Sequence, residues 1–358
     1  MICQQIYEMK NTEINQYKLS IVVAVYNLEK YLPRCLDALV NQTLDNIEIL
    51  CVDDGSTDSA PKIIDEYAQK YSDKIKAFHK KNGGEFTSRN YGLERATGEF
   101  VTFVDCDDYV ENNWAEKLYN TAKENDADMA VCAFERIDLQ TGKVVATDMT
   151  GFGNCCKQIN AKDDDIVFIN PAPWNKVYKR EKIADLRFLP FRGFNDMLFL
   201  TSTFTTMNKI AFIPDVLYHY YLRYDSQIHS VNEQDVNNLK KYFLEVKELY
   251  QKEDKYEEMK YILDLMAFIH LGVSVMYRAS YDKNIDIKKM MKETIKYLDD
   301  NFSSWRKSPF LKFSYSCKKG IKHIGLWGIS KFYKMHLHMW FIRIYRFAID
   351  KLKIDIKF

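Results

Sequence analysis

The chain has no Cys-x-x-Cys pair, and its adjacent Cys155 and Cys156 lack the spacing of a zinc site, so its eight cysteines do not read as a metal framework. Cys35, Cys51 and Cys132 fall in apolar segments, and nothing indicates a disulfide framework, which fits a reducing cytoplasm. No internal repeat and no low-complexity tract is present. The amino terminus lacks the charged-then-apolar pattern of a targeting signal. Near the carboxyl end Arg343 and Arg346 interrupt the one long apolar run, short of the roughly 20 residues that a membrane-spanning helix needs. The formal net charge is only +1, and no nucleic-acid-binding motif accompanies the basic residues, which argues against a nucleic-acid partner.

With 358 residues, 47% of them hydrophobic, the chain is large enough for one large domain with an appended helical region. The charge that cancels overall is unevenly placed. From Arg306 to Phe358 there are thirteen Lys or Arg against two Asp, so this tail carries +11. Aromatic residues, among them Trp305, Phe313, Trp327, Trp340 and Phe347, are interleaved with that charge. The composition suits a segment lying on an anionic membrane surface. A helical cap whose aromatics are core is the plainer reading.

Two apolar segments end abruptly in acids. Phe100 to Val104 reads as a strand and runs into Asp105-Cys106-Asp107-Asp108, three carboxylates within four residues. Such a group invites a hard divalent cation, because Mg²⁺ and Mn²⁺ take oxygen ligands and commonly bind through one or two carboxylates plus substrate phosphates. The plainer reading is a turn in which Asp108 or Asn112 caps the next helix. Upstream, Asn46 to Val52 reads as a strand ending at Asp53-Asp54-Gly55-Ser56-Thr57-Asp58. Asp53 or Asp54 would accept N–H or O–H groups of a nucleotide, while Gly55 supplies a special dihedral and Ser56 to Asp58 cap a helix near Pro61.

Strand and helix patterns alternate from Leu19 to about Phe134, which predicts a doubly wound α/β sheet with ligands at the carboxyl ends of its strands. Leu19 to Tyr26 is a nearly continuous apolar run, as in a parallel strand buried on both faces. Tyr31 to Val40, Ile63 to Tyr71, Thr87 to Ala96 and Asn113 to Glu124 carry helical spacing. Residues 235 to 300 read as two or three charged amphipathic helices.

Four blocks carry a resemblance: Ser20 to Asn27, Val52 to Asp58, Asn82-Gly83-Gly84 with Ser88-Arg89-Asn90-Tyr91-Gly92, and Asp105 to Asp108. In order and spacing they resemble the bacterial glycosyltransferases of family 2, with the GT-A fold. Looser similarity continues through Trp174 to Tyr178, Gly193 to Phe199 and Tyr218 to Ser226. Ala24, Ser88 and Asn195 depart from the residues common in that family, and Asn195 removes a carboxylate beside Asp196.

The resemblance implies an inverting transfer of sugar from a nucleotide diphosphate sugar, a UDP-sugar first, to a hydroxyl of a growing cell-surface glycan such as lipopolysaccharide, capsule or another lipid-linked polysaccharide. By it Asp107 matches the metal ligand for Mn²⁺ or Mg²⁺, with Asp105 near ribose and metal. Asp53 contacts the nucleobase, Arg89 lies against base or phosphate, and Tyr26 helps form the nucleotide wall. Asp196 matches the catalytic base; its plainer reading is an acid at a helix amino terminus. His219 and His229 could touch diphosphate, or His219 could be a packed residue in a Tyr-rich strand.

The implied organisation is an extension over 1–18, a catalytic domain over 19–232 with a nucleotide-sugar half (19–134) and an acceptor half (135–232), a helical connector over 233–304 and the basic aromatic tail over 305–358. The expected place is the cytoplasm, peripheral on the inner face of the membrane. Two alternatives stand beside the enzyme: a nucleotide-sugar-binding partner subunit without turnover, and a sugar nucleotidyltransferase. The second calls for a Gly-rich basic loop after the first strand, where this chain has Asn27-Leu28-Glu29-Lys30.

Overall fold

The computed structural model describes residues 16–190, 194–223 and 231–352. Gly193, the first residue of one stretch of family similarity, and His229, a diphosphate candidate, lie outside them. The chain divides into two compact units: Met1–Ile159 with Asn170–Asp225, and Asn160–Ile169 with Ser226–Phe358.

The first unit is built on a ten-stranded mixed sheet. β1 (Tyr17–Val25), β2 (Ile47–Asp53), β3 (Ile75–His79) and β4 (Gly98–Asp105) are parallel, in the order β3-β2-β1-β4. Their β-branched and aromatic residues favour the pleated, doubly covered environment, and every residue of β2 is buried. Between them run α1 (Leu32–Val40), α2 (Ala60–Lys70) and α3 (Glu85–Leu93). Pro33 and Pro61 sit in the first turns of α1 and α2, where a missing N–H costs nothing.

Beyond β4 the sheet departs from a purely parallel one. After β5 (Tyr109–Val110) and α4 (Trp114–Glu124) come β6 (Met129–Asp138), β7 (Val144–Asp148), β8 (Cys155–Gln158) and β9 (Lys176–Lys179). β9 inserts antiparallel between β4 and β6. After α5 (Arg180–Ile183) and α6 (Asn195–Thr203), β10 (Lys209–Leu222) pairs parallel to β6 and antiparallel to β5 and β8.

Two glycines fix close approaches in this unit. Gly55 has φ +73°, the left-handed turn that ends β2. A Cβ on Gly92 would stand 2.3 Å from Val22 Cγ1, so α3 lies on β1 at a distance that only glycine permits. At the opposite end of the strands, buried Glu48 accepts Ser20 Oγ at 2.6 Å and Thr97 N at 2.7 Å and pairs with Lys76 at 2.7 Å, tying β2 to its neighbours.

The second unit is helical: α7 (Glu233–Lys252), α8 (Tyr256–Ala267) continuing through a π-helical stretch (Phe268–Val275) into α9 (Met276–Ala279), α10 (Ile287–Asn301), α11 (Phe313–Lys319), α12 (Ile321–Lys334) and α13 (His338–Leu352). Asn232 and Asp235 form a capping box at α7. Tyr256–Ala279 is long and apolar enough to cross a membrane, which corrects the reading of a single long apolar run at the carboxyl end. Its most apolar stretch is 78% buried, however, and Phe268 stacks on Trp305 at 4.3 Å, so it is the core helix of this unit.

Segment Asn160–Ile169 belongs with the helical unit, and the helices over 233–304 share that unit with the tail. Trp305, Phe310, Tyr333 and Phe341 are core residues, as the helical-cap reading expects, whereas Phe313, Trp340 and Phe347 are exposed. Neither Asp108 nor Asn112 caps a helix: α4 starts after Asn113 without a side-chain cap, and the Asp108 carboxylate is used elsewhere.

Candidate active site

Strand register brings the acidic clusters to one edge of the sheet. Val25 pairs with Asp53 and Ala24 with Asp105, so Tyr26, Asp53, Asp54 and Asp105 all lie at the carboxyl ends of adjacent parallel strands, β1 between β2 and β4. In open α/β sheets this edge collects ligands.

The two acids after β2 have different environments. Asp54 is spent on structure: it accepts Gly83 N at 3.0 Å and Gly84 N at 2.7 Å and pairs with Lys80, which shapes the loop entering α3. Asp53 accepts Ser56 N at 3.0 Å through Oδ1 and meets His79 Nδ1 at 3.2 Å through Oδ2. His79 in turn reaches Asp65, and these two carboxylates, Asp65 first, raise the imidazole above its ordinary range. The helix-capping expectation for Ser56 to Asp58 is corrected: Ser59 stands at the N-cap of α2 without a side-chain cap, and Asp58 accepts Ala60 N at 3.0 Å from one residue further out. Tyr26 is 48% exposed beside them.

The turn after β4 separates its three acids. Asp108 is fully buried: Tyr218 donates its hydroxyl to Oδ2 at 2.7 Å, and Tyr221 N donates to Oδ1 at 2.9 Å, both from β10. It pins the turn and holds the proton far above the usual carboxylate range, through burial and the nearby charges of Asp107 and Asp105. Asp107 lies 3.1 Å from Arg223 Nε, and its backbone carbonyl accepts Arg34 Nη2 at 2.6 Å. Burial first, then Asp105, push the Asp107 carboxyl up to about 6 despite Arg223. Asp107 and Asp105 put hard carboxylate oxygens on one turn, the donor type that Mg²⁺ or Mn²⁺ takes, with Arg223 and Arg89 each engaging one of their oxygens.

Arg89 joins this turn to α6. It is 2% exposed and holds three carboxylates: Asp105 Oδ1 on Nη2 at 2.7 Å, Asp196 Oδ1 on Nη1 at 2.6 Å, and Glu85 one turn back on α3. Its guanidinium carbon also stands 5.3 Å from the centre of the Phe188 ring. A buried cation requires such partners, and Arg89 thus faces acids rather than open solvent where a phosphate would arrive. Asp196, in the first turn of α6, keeps 30% side-chain exposure. Burial raises its carboxyl above the ordinary range, opposed by Arg89 and assisted by Asp105.

Other candidates are internal. His219 has both nitrogens engaged, Nδ1 with Glu135 at 2.7 Å and Nε2 with Glu111 at 2.8 Å, which supports the packed reading. Trp174 stacks on Tyr218 at 4.2 Å, Asn175 donates to Cys132 O at 2.8 Å, and buried Lys176 donates to Asn170 O and Ala172 O, each at 2.7 Å. Burial lowers the Lys176 ammonium to about 7. Sequence reasoning missed the parts played by Glu85 and Lys176; the i,i+4 spacing of Glu85 and Arg89 was a usable signal for the first.

Among the described residues, one trio of metal-capable side chains comes within 4.8 Å: Asp164, Asp165 and His323, in the helical unit. Lys319 Nζ lies 3.0 Å from Asp165 and 2.6 Å from Asp163, so an ammonium already supplies positive charge there. Tyr315 Oη and His323 Nε2 reach Asp164 Oδ1 at 2.7 and 3.0 Å and dock segment 160–169 on the helices.

Comparison with known proteins follows the same outline. The family model described as Glycosyl transferase family 2 matches residues 20–187. Glycosyltransferase GlyG of Streptococcus pneumoniae is 34% identical over 212 residues, which are 56% of this chain and 70% of that protein. The poly(ribitol-phosphate) beta-glucosyltransferase of Bacillus spizizenii is 33% identical over 221 residues, 60% of this chain and 34% of that longer protein. Among solved structures, S. aureus TarS 1-349 in complex with UDP-GlcNAc superimposes with a TM-score of 0.63 at 21% identity, over 92% of this chain and 91% of the other. At that identity the likeness speaks for the fold.

Proposed function

The chain belongs to glycosyl transferase family 2, and on that premise we propose that this glycosyltransferase inverts the anomeric centre as it moves a sugar from a UDP-sugar to a hydroxyl of a cell-surface glycan, lipid-linked at the inner face of the membrane. The observation that carries the reading is the convergence of Asp105 and Asp196 on one buried arginine, which sets a metal-binding type of turn beside an acid suited to proton abstraction.

Each residue then has a separate task. Asp53 and Tyr26 receive the nucleoside at the ends of β2 and β1. Asp107 with Asp105 would hold Mn²⁺ or Mg²⁺, which when bound supplies positive charge to the departing nucleotide diphosphate. Asp196 takes the proton of the acceptor hydroxyl as the new glycosidic bond forms. Arg89 occupies Oδ1, so Oδ2 is the proton acceptor. The raised carboxyl suits a base, since proton transfer is most effective when the catalytic pKa approaches the working pH. Arg89 acts as a positioning residue that keeps Asp196 ionised and aimed. The UDP donor and the cell-surface glycan acceptor are proposed by analogy with the UDP-GlcNAc of the TarS complex and the poly(ribitol-phosphate) beta-glucosyltransferase of Bacillus spizizenii.

The test is a panel of UDP-sugars incubated with Mn²⁺ and glycan acceptors, with products read by mass spectrometry and their anomeric configuration by NMR. Transfer with inversion supports the assignment. Transfer with retention overturns the single-step mechanism. Donor binding without turnover, for every sugar and acceptor, favours the non-catalytic partner subunit.

A further inference from the structure

Helix α13 has two apolar faces. Phe341, Ile342 and Tyr345 are buried and meet its packing needs within the helical unit. Trp340, Ile344 and Phe347 recur at i, i+4 and i+7, a single stripe on another face, and they are 59%, 53% and 58% exposed. Leu337, at the entry to the helix, extends the stripe by one more turn and is exposed too. A lone exposed apolar residue needs no explanation, but a continuous row marks an interaction surface.

Charge identifies the partner. Between Arg306 and Ile349 the chain has ten Lys or Arg and no Asp or Glu. Arg306 answers Asp299, and Lys319 answers Asp163 and Asp165; the other eight meet no carboxylate among the described residues. Arg343 is on the exposed side with the stripe, its guanidinium carbon 5.7 Å from the centre of the Trp340 ring. A guanidinium over an aromatic ring suits the boundary between hydrocarbon and water, where the stem is buried and the charge remains solvated.

We propose that the Leu337, Trp340, Ile344 and Phe347 face of α13 docks in the plane of an anionic lipid bilayer, with the surrounding lysines and arginines on the lipid headgroups. Two other occupants fit less well. A second copy docked through the same face would bring like charge against like charge. A nucleic acid would match the charge but leave the aliphatic row without a use. The helix is 15 residues long, roughly 22 Å, and so lies along the bilayer rather than across its hydrocarbon core of about 30 Å. This inference rests on the helical unit alone and is independent of the donor site.

The experiment is co-sedimentation of the full chain with phosphatidylcholine vesicles, with and without phosphatidylglycerol. Wild-type protein is expected to pellet at least tenfold more strongly with the anionic vesicles, and less so as salt rises. Trp340→Ser, Ile344→Ser and Phe347→Ser combined should reduce that binding tenfold or more, with sugar transfer to a soluble acceptor unchanged. A Lys318→Glu, Lys322→Glu, Lys331→Glu variant should lose the preference for anionic lipid. If the serine variant misfolds, quenching of wild-type tryptophan fluorescence by brominated phosphatidylglycerol, with Trp340→Phe as the subtracting variant, still decides the matter. Quenching that survives Trp340→Phe undiminished overturns the assignment, as does wild-type protein that ignores anionic vesicles. A wild-type dimer by light scattering that the serine variant makes monomeric, with no vesicle binding by either, overturns it in favour of a second copy.

Discussion

The two units use charge in opposite ways. In the α/β unit, acids and bases meet inside the protein: Arg89 is held by Glu85, Asp105 and Asp196, and Asp107 stands against Arg223. In the helical unit most of the basic residues from Lys307 to Arg346 have no carboxylate opposite them among the described residues, and Phe268 packs against both Trp305 and Tyr333 inside. Buried and mutually opposed charges are held in place at a cost in stability, which suits a site that must act on a substrate. Exposed charge of one sign costs little and acts outward, which suits recognition of a surface.

If the contrast is sound, variants in the two units should fail in different measurements. Asp107→Ala should cause the largest effect, a loss of donor binding and transfer worth several kcal/mol, roughly 10³-fold or more in kcat/KM, read by steady-state kinetics with Mn²⁺. Full activity in excess chelator would contradict the assignment. Asp196→Asn should lower kcat by roughly 10²- to 10⁴-fold with donor affinity retained, which calorimetric titration of UDP would show. Equal loss of donor affinity in both variants would place Asp196 in the donor site instead.

Arg89→Met removes a buried cation from among three carboxylates and should destabilise the protein by about 3–5 kcal/mol in denaturant unfolding. Asp107→Asn should do the reverse for the metal-free protein. Its folded-state value of about 6 lies above the ordinary 3.8, so the folded protein holds this proton more tightly than the unfolded chain, and stability falls as pH rises from about 4 to about 6. The amide should therefore raise the neutral-pH unfolding free energy by on the order of 1–3 kcal/mol and flatten its pH dependence. Smallest of all, Trp340→Ser in the helical unit should change stability by no more than about 0.5 kcal/mol, because its side chain stands outside the packed core.

Local pattern made much of the first unit legible. Leu19 to Tyr26 reads as a buried parallel strand because its apolar run is nearly continuous, Asn46 to Val52 reads as a strand despite Glu48, and the acids that follow both mark the carboxyl ends of the strands. What the pattern leaves out is pairing across long separations. Arg89 and Asp196 are 107 residues apart, and Asp108 and Tyr218 are 110 apart; no periodicity links either pair. Asp108 read as a helix cap for that reason, since its partners come from a strand near the end of the unit. β9 was equally hidden, because Lys176–Lys179 is four residues long and only its neighbours β4 and β6 decide its direction. In the tail, composition revealed the surplus of basic charge, but whether an aromatic ring faces inward or outward depends on packing, as the contrast between Tyr333 and Trp340 illustrates.

Gly92 sets a manufacturing tolerance for the whole site. It lies three residues beyond Arg89 on the same helix, and its missing side chain lets that helix rest against Val22. An alanine there has to displace a β-branched residue locked in a central strand or lift α3 away from the sheet, and lifting the helix draws the guanidinium back from Asp105 and Asp196 together. In a genetic screen such a change is expected to score with substitutions of Asp105 and Asp196, the acids proposed for the reaction, while altering neither of them. The alignment of Arg89 with Asp105 and Asp196 is thus gauged by a gap narrower than one methyl group.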